Sequence, residues 1–161
     1  ASAQLVFGNQ LIGTADNRAH IGSSGGHVYN DFTSNATWTQ TSDERKKKDI
    51  VDDTLGLGFI NDLRTVQYKF KAQSEFPKEW AEYNSDKTEP CDDKVHHGLI
   101  AQEVKQALDN ADINSFEGWD ILPDGKQQIS REMFVMPLIK AVQELSAKVE
   151  ELETKLNNKE K

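Results

Sequence analysis

The chain is poor in cysteine, in long apolar runs and in positive charge, and each shortage removes a class of protein. Cys91 is the one cysteine in 161 residues. That excludes an intrachain disulfide framework and fits folding in a reducing compartment. Beside Asp92 and Asp93 it reads as an incidental thiol. No apolar stretch approaches the roughly eighteen residues of a membrane span, and no signal-peptide pattern is present, so no membrane partner is expected. Lys and Arg number 19 against 27 Asp and Glu, for a net charge of -8 and an isoelectric point near 5.0. Nucleic-acid backbones are bound by a surplus of Lys and Arg, and the short Lys46-Lys47-Lys48 run does not reverse the balance, so no nucleic acid is expected either. Apolar residues are also scarce, at 36% against 29% charged. A lean core in a polar surface follows, with some segments stabilised by a partner. The length suits one domain, or a small domain with appendages. The chain starts at Ala1 rather than at methionine, as a piece of something longer would.

From Ala1 to about Trp38 charge is low and Gly, Asn, Ser and Thr are frequent. Leu5-Val6-Phe7, Leu11-Ile12 and His27-Val28-Tyr29 read as short strands, with turns at Gly8-Asn9, Gly13 and Ser23 to Gly26. These are too few apolar residues for an independent core. The segment suits the end of a β-rich fibre whose chains share one interior, or a loose leader. Between Trp38 and Ile50 the composition switches to charge, which marks a boundary.

Leu55, Phe59, Ile60 and Leu63 recur at helical spacing and predict a helix from about Asp53 to Leu63, capped by Asp52 or Asp53. Val66, Tyr68 and Phe70 alternate with Gln67, Lys69 and Lys71 as a half-buried strand does. Ala72 to Val95 holds Pro77, Pro90 and many charges and reads as a long loop, with Trp80 and Tyr83 to pack it down. A second helix is expected from Gly98 to Leu108, with Leu99, Ile100, Val104, Ala107 and Leu108 on one face. His96 and His97 precede it. Without a matching carboxylate or cysteine spacing they suit a structural or supporting polar role better than a metal site, so no metal and no cofactor is expected. Ile113 to Ile129 reads as a hairpin turning at Pro123-Asp124-Gly125. Last, Val135, Leu138, Val142, Leu145, Val149, Leu152 and Leu156 step by three and four as the a and d positions of a heptad do. A long helix this thin in apolar residues needs partner helices. Pro137 marks the start of the coiled coil or a kink in it. The fold class is therefore α+β: a small mixed helix and strand domain with a long C-terminal coiled-coil helix, preceded by a β-rich segment.

Ser42-Asp43-Glu44-Arg45-Lys46-Lys47-Lys48-Asp49-Ile50 places a hydroxyl nucleophile five residues before an amine. Serine must lose its proton to attack, and a lysine takes that proton once burial or cationic neighbours disfavour its own charge. Lys46 and Lys48 flank Lys47 in that sense. The structural alternative is a basic run on a solvated face.

The order of motifs resembles the endosialidase-type C-terminal intramolecular chaperone, the self-cleaving domain at the end of phage tail spikes, tail fibres and neck appendages. The likeness is carried by Ser42-Asp43-Glu44-Arg45 with Lys47 and Asp49-Ile50, and by Gly58-Phe59-Ile60-Asn61-Asp62-Leu63-Arg64 leading to Tyr68-Lys69-Phe70. It continues in His97-Gly98-Leu99-Ile100-Ala101-Gln102-Glu103-Val104 and in Met136 to Leu145. The resemblance implies a homotrimer that folds its own upstream fibre domain and then releases itself. Domains would run 1–41 (fibre end), 42–134 (chaperone and autoprotease core) and 135–161 (coiled coil). Ser42 matches the nucleophile and Lys47 its general base, while Asp43 and Arg45 match positions that fix the loop. Cleavage is expected between Thr41 and Ser42, with Ser42–Asp43 as the alternative bond, and a backbone N–H or a histidine such as His97 is the candidate oxyanion donor. The family usually has an apolar residue where Lys46 stands, so the packing around Lys47 is expected to be looser and cleavage slower. Val at a with Leu at d leans toward two strands, whereas the fibre-like leader and the family call for three. The implied location is the precursor of a virion tail fibre or appendage, made in the host cytoplasm. A related domain occurs in membrane-bound myelin regulatory factors, but nothing in these residues suggests a membrane anchor or a basic DNA-binding region.

Two other classes compete. A trimerisation module of a viral fibre that never cuts would leave Ser42 and Lys47 as surface residues. An acidic coiled-coil adaptor would require the motifs between Gly58 and Val104 to be accidental.

Overall fold

A computed structural model of the chain describes residues 4–9, 18–23, 26–31 and 37–159. Two compact units are present, Ala1–Val51 and Asp52–Lys161.

In the first unit, β1 (Gln4–Asn9), β2 (Arg18–Ser23), β3 (Gly26–Asp31) and β4 (Thr39–Gln40) form one sheet in that order. β1 runs parallel to β2, with Leu5 opposite Ala19, and the other pairings are antiparallel. Leu5-Val6-Phe7 and His27-Val28-Tyr29 are strands as expected. Gly8 and Asn9 are not a turn: they extend β1 in register with Gly22 and Ser23. Leu11-Ile12 and Gly13 lie outside the described residues, as do residues 24 and 25 between the paired ends Ser23 and Gly26. β2 was not expected, since its apolar content is only Ala19 and Ile21. Ala19, His20 and Asn30 are buried. The His20 ring stacks on Tyr29, and Asn30 Nδ2 donates to the Thr37 carbonyl at 2.9 Å.

The second unit has one core, built from Leu55, Phe59, Val104, Ala107, Leu108 and Phe134. Phe59 stacks on Phe134, and Phe116 meets both edge-on. The first helix, α1, covers only Leu57–Asp62 rather than starting near Asp53. Asp52 and Asp53 do not cap it. Asp53 Oδ1 instead accepts the N–H of Leu55 at 2.9 Å, turning the chain so that Leu55 enters the core. The N-cap is Gly56, and the open Leu57 N–H is met at 2.8 Å by Glu144 Oε2 from the last helix. A Cβ at position 56 would run into that carboxylate.

After α1, β5 (Val66–Tyr68) pairs antiparallel with β6 (His96–Gly98). The strand stops before Phe70, whose ring folds edge-on against Tyr68 and His96. His96 to Gly98 therefore belong to a strand, and α2 begins later than expected, at Ala101, and ends at Asn110. Its buried face is Val104, Ala107 and Leu108. The intervening loop is pinned as expected by Trp80, which packs on Phe76 and lies under Lys126, while Tyr83 is half-buried. Lys126 Nζ is 2.6 Å from Glu82 and 3.0 Å from Asp124, tying the loop to the turn of a hairpin. That hairpin is β7 (Trp119–Ile121) with β8 (Gln127–Ile129). Gly125 adopts φ +82 in its turn, where a side chain would be strained.

The last helix, α3, spans Val135–Lys159, 25 residues, and is entered through a 3₁₀ turn at Arg131–Phe134. Pro137 sits in its first turn, where the missing N–H costs nothing. Pro137 and Ala141 are buried and α3 packs on α1. The whole fold is thus mixed helix and strand, with small sheets and a long C-terminal helix. The heptad seam is bare: each of Val135, Leu138, Val142, Leu145, Val149, Leu152 and Leu156 is 46% exposed or more.

Candidate functional site

Ser42 and Lys47 face each other across one 3₁₀ turn, Glu44–Lys46. Three residues of that turn shorten the path between the flanking side chains, and Lys47 Nζ reaches Ser42 Oγ at 2.7 Å. The turn is closed by backbone bonds from Lys46 N to the Asp43 carbonyl and from Lys47 N to the Glu44 carbonyl. Asp43 caps its start. Its Oδ1 accepts from the Arg45 N–H and from Arg45 Nε, both at 2.9 Å, and its Oδ2 accepts from Arg45 Nη2 at 2.7 Å. This forked pair is the strong geometry for a guanidinium and a carboxylate. Hydrogen bonding to the Arg45 side chain, and then to its backbone, holds the Asp43 carboxyl below the usual carboxylate range; the same pair raises Arg45. Past the dyad, Asp49 adopts φ +54, a left-handed conformation that aspartate tolerates better than most residues.

Thr41, Ser42, Lys46 and Lys47 are all exposed in the single chain. No burial of Lys47 accompanies the contact. Downstream of the dyad, Ile50 and Val51 are exposed too, at 63% and 86%.

His97 lies in the second unit, on β6 opposite Gln67, with its side chain exposed. It borders a groove of about 660 Å³ walled by Ile60, Leu63, Val66 and Leu99, with Arg131 and Leu138 also lining it. No periodicity announces this groove, because its walls come from α1, both strands of the β5–β6 pair and the start of α3. His96 has the structural role expected of it. Its Nε2 contacts Asp92 Oδ1 at 3.2 Å and its ring stacks on Tyr68. The bond to His96 holds Asp92 below the usual carboxylate range. Among the described residues no three His, Cys, Asp or Glu side chains gather as a metal site, Cys91 is exposed, and no helix is long and apolar enough to cross a membrane.

Myelin gene regulatory factor-like A of Dictyostelium discoideum is 28% identical over 94% of this chain. The matched region is 16% of that protein, so the chain spans about a sixth of its relative's length. Residues 42–113 match the family described as chaperone of endosialidase. The match opens on Ser42 and runs through the dyad turn, α1, the β5–β6 pair and α2. Residues 42–113 are a chaperone domain of the endosialidase type.

Proposed function

We propose that the chain trimerises through α3, holds the strand-rich segment of three copies in register, and then cuts itself between Thr41 and Ser42. The observation that carries this is the 2.7 Å contact between Lys47 Nζ and Ser42 Oγ, at the residue where the family match begins. With Lys47 as a neutral amine, the same contact runs in reverse: Ser42 Oγ–H donates to Nζ and the oxygen attacks the Thr41 carbonyl through a five-membered ring. The proton held on Nζ passes to the Ser42 nitrogen as the Thr41–Ser42 C–N bond breaks. An ester of Thr41 on Ser42 Oγ results, and water hydrolyses it to a Thr41 carboxylate and a free Ser42 amine. Asp43 and Arg45 act as positioning residues by fixing the turn.

The exposure of the dyad in one chain is consistent with cleavage that waits for assembly, since a desolvated lysine is the better base. The bare seam of α3 supports association, because seven apolar heptad residues in water are stabilised only by partner helices. Local trimerisation raises the effective concentration of upstream strands whose pairing is otherwise slow. Cleavage then removes the clamp and leaves a kinetically trapped product. A tail fibre or spike precursor of a phage is the setting this domain type suggests. The test is whether the chain parts at Ser42 and whether Ser42→Ala and Lys47→Ala keep it whole.

A further inference from the structure

The first two turns of α3 carry more apolar surface than the seam uses. Pro137 and Ala141 are buried on the side that meets α1. Val135, Leu138 and Val142 belong to the seam. Met136 and Ile139 belong to neither, yet they are 56% and 48% exposed. At about 100° per residue, Ile139 and then Met136 fall on the flank of the Leu138 line away from Pro137 and Ala141. Gln143, one turn after Ile139, ends the patch. It is therefore confined to the level of the globular unit. Apart from Lys140 every side of these two turns is apolar, and a helix apolar nearly all round is one that is covered nearly all round.

The groove that His97 borders lies at that same level. Leu138 is both a lining residue of the groove and a seam residue, so seam and groove form one continuous surface. Charge matches as well. Arg131 lines the groove, Glu132 is exposed one turn before Met136, and neither forms an ion pair among the described residues.

We propose that, given association through α3, the Glu132–Met136–Ile139 flank of one copy docks into the groove of the next copy. Met136 and Ile139 enter between Leu63, Val66 and Leu99, and Glu132 meets Arg131. The contact joins two different patches, so it closes only as a ring. Three copies around an α3 axis make such a ring, because the seam faces the axis with the groove on one side and the flank on the other.

Disulfide trapping in the full chain tests this, with Cys91→Ser as background. Thr65 lines the groove and is exposed, so Thr65→Cys with Ile139→Cys places one thiol on each patch without disturbing the core. Both lie after Ser42, and cleavage there leaves the readout unchanged. Oxidation is expected to give covalent trimers on a denaturing gel. In a parallel chain, Leu152→Cys alone reports the seam by forming covalent dimers. Dimers from Leu152→Cys with only monomers from the groove pair would overturn the docking while association stands. Absence of both products would overturn association and the docking with it. Independently, Ile139→Asp is expected to raise the concentration needed for assembly about tenfold or more with an unchanged circular dichroism spectrum; unchanged assembly would overturn the docking.

Discussion

Glu144 of α3 accepts the N–H of Leu57, the first residue of α1, at 2.8 Å and across 87 positions of sequence. One carboxylate thereby satisfies a helix start that has only Gly56 at its N-cap, and it fixes the register of α3 against α1. Glu144→Ala is expected to cost roughly 1 kcal/mol, the usual worth of a capping side chain. Gly56→Ala displaces the same carboxylate. The two changes together are expected to cost less than the sum of their separate costs, which a double-mutant cycle by denaturant unfolding measures.

This relationship was not legible in the sequence, whereas much around it was. Heptad spacing gives α3, alternation gives β5, and Pro123 to Gly125 gives the hairpin, because each is a local pattern. The cap of α1 fails that test: Asp53 lies where a local cap belongs, but its carboxylate serves Leu55 and a distant glutamate serves the helix. His96 to Gly98 failed for a related reason. Their strand is made by pairing with Val66 to Tyr68, a partner that periodicity within the segment cannot reveal. The Ser42 and Lys47 spacing was legible because a single short turn brings the two side chains together.

Asp43 caps the turn that joins Ser42 to Lys47, and under the proposed mechanism it acts on them through that turn. Asp43→Ala is expected to loosen Glu44–Lys46 and slow cleavage, with little change in global stability, because the pair with Arg45 is solvent-exposed. Since the carboxyl is held below its ordinary range, its contribution is in place at neutral pH and is lost as pH falls through the folded value. NMR titration of the Asp43 carboxyl carbon in Ser42→Ala protein checks the direction.

The loop bridge has a wider window. Hydrogen bonds to Lys126 lower Glu82 and Asp124, and bonds to Glu82 and then Asp124 raise Lys126. The carboxylates' contribution is full above their ordinary range and is lost as pH falls through their folded values. The lysine's is full below its ordinary range and is lost only as pH climbs through its raised value. Acid is therefore expected to release the loop before mild alkali does. The Trp80 indole NMR signal, which senses the Lys126 ammonium 5.5 Å from the ring, is expected to move below the usual carboxylate range and stay fixed between neutrality and mild alkali.

Leu145→Asp and Leu152→Asp are expected to abolish self-association in analytical ultracentrifugation while leaving the second unit folded. Both side chains are more than half exposed in the single chain, so the charge disrupts a partner contact and no internal one. If cleavage depends on assembly, these variants also remain uncut.

The most direct measurement is intact mass on denatured protein, comparing the parent chain with Ser42→Ala and Lys47→Ala. Self-cleavage by the dyad predicts fragments 1–41 and 42–161 from the parent and one full-length species from each variant. A single full-length mass from the parent, in protein shown to be assembled, would contradict it and leave a folding clamp that stays attached.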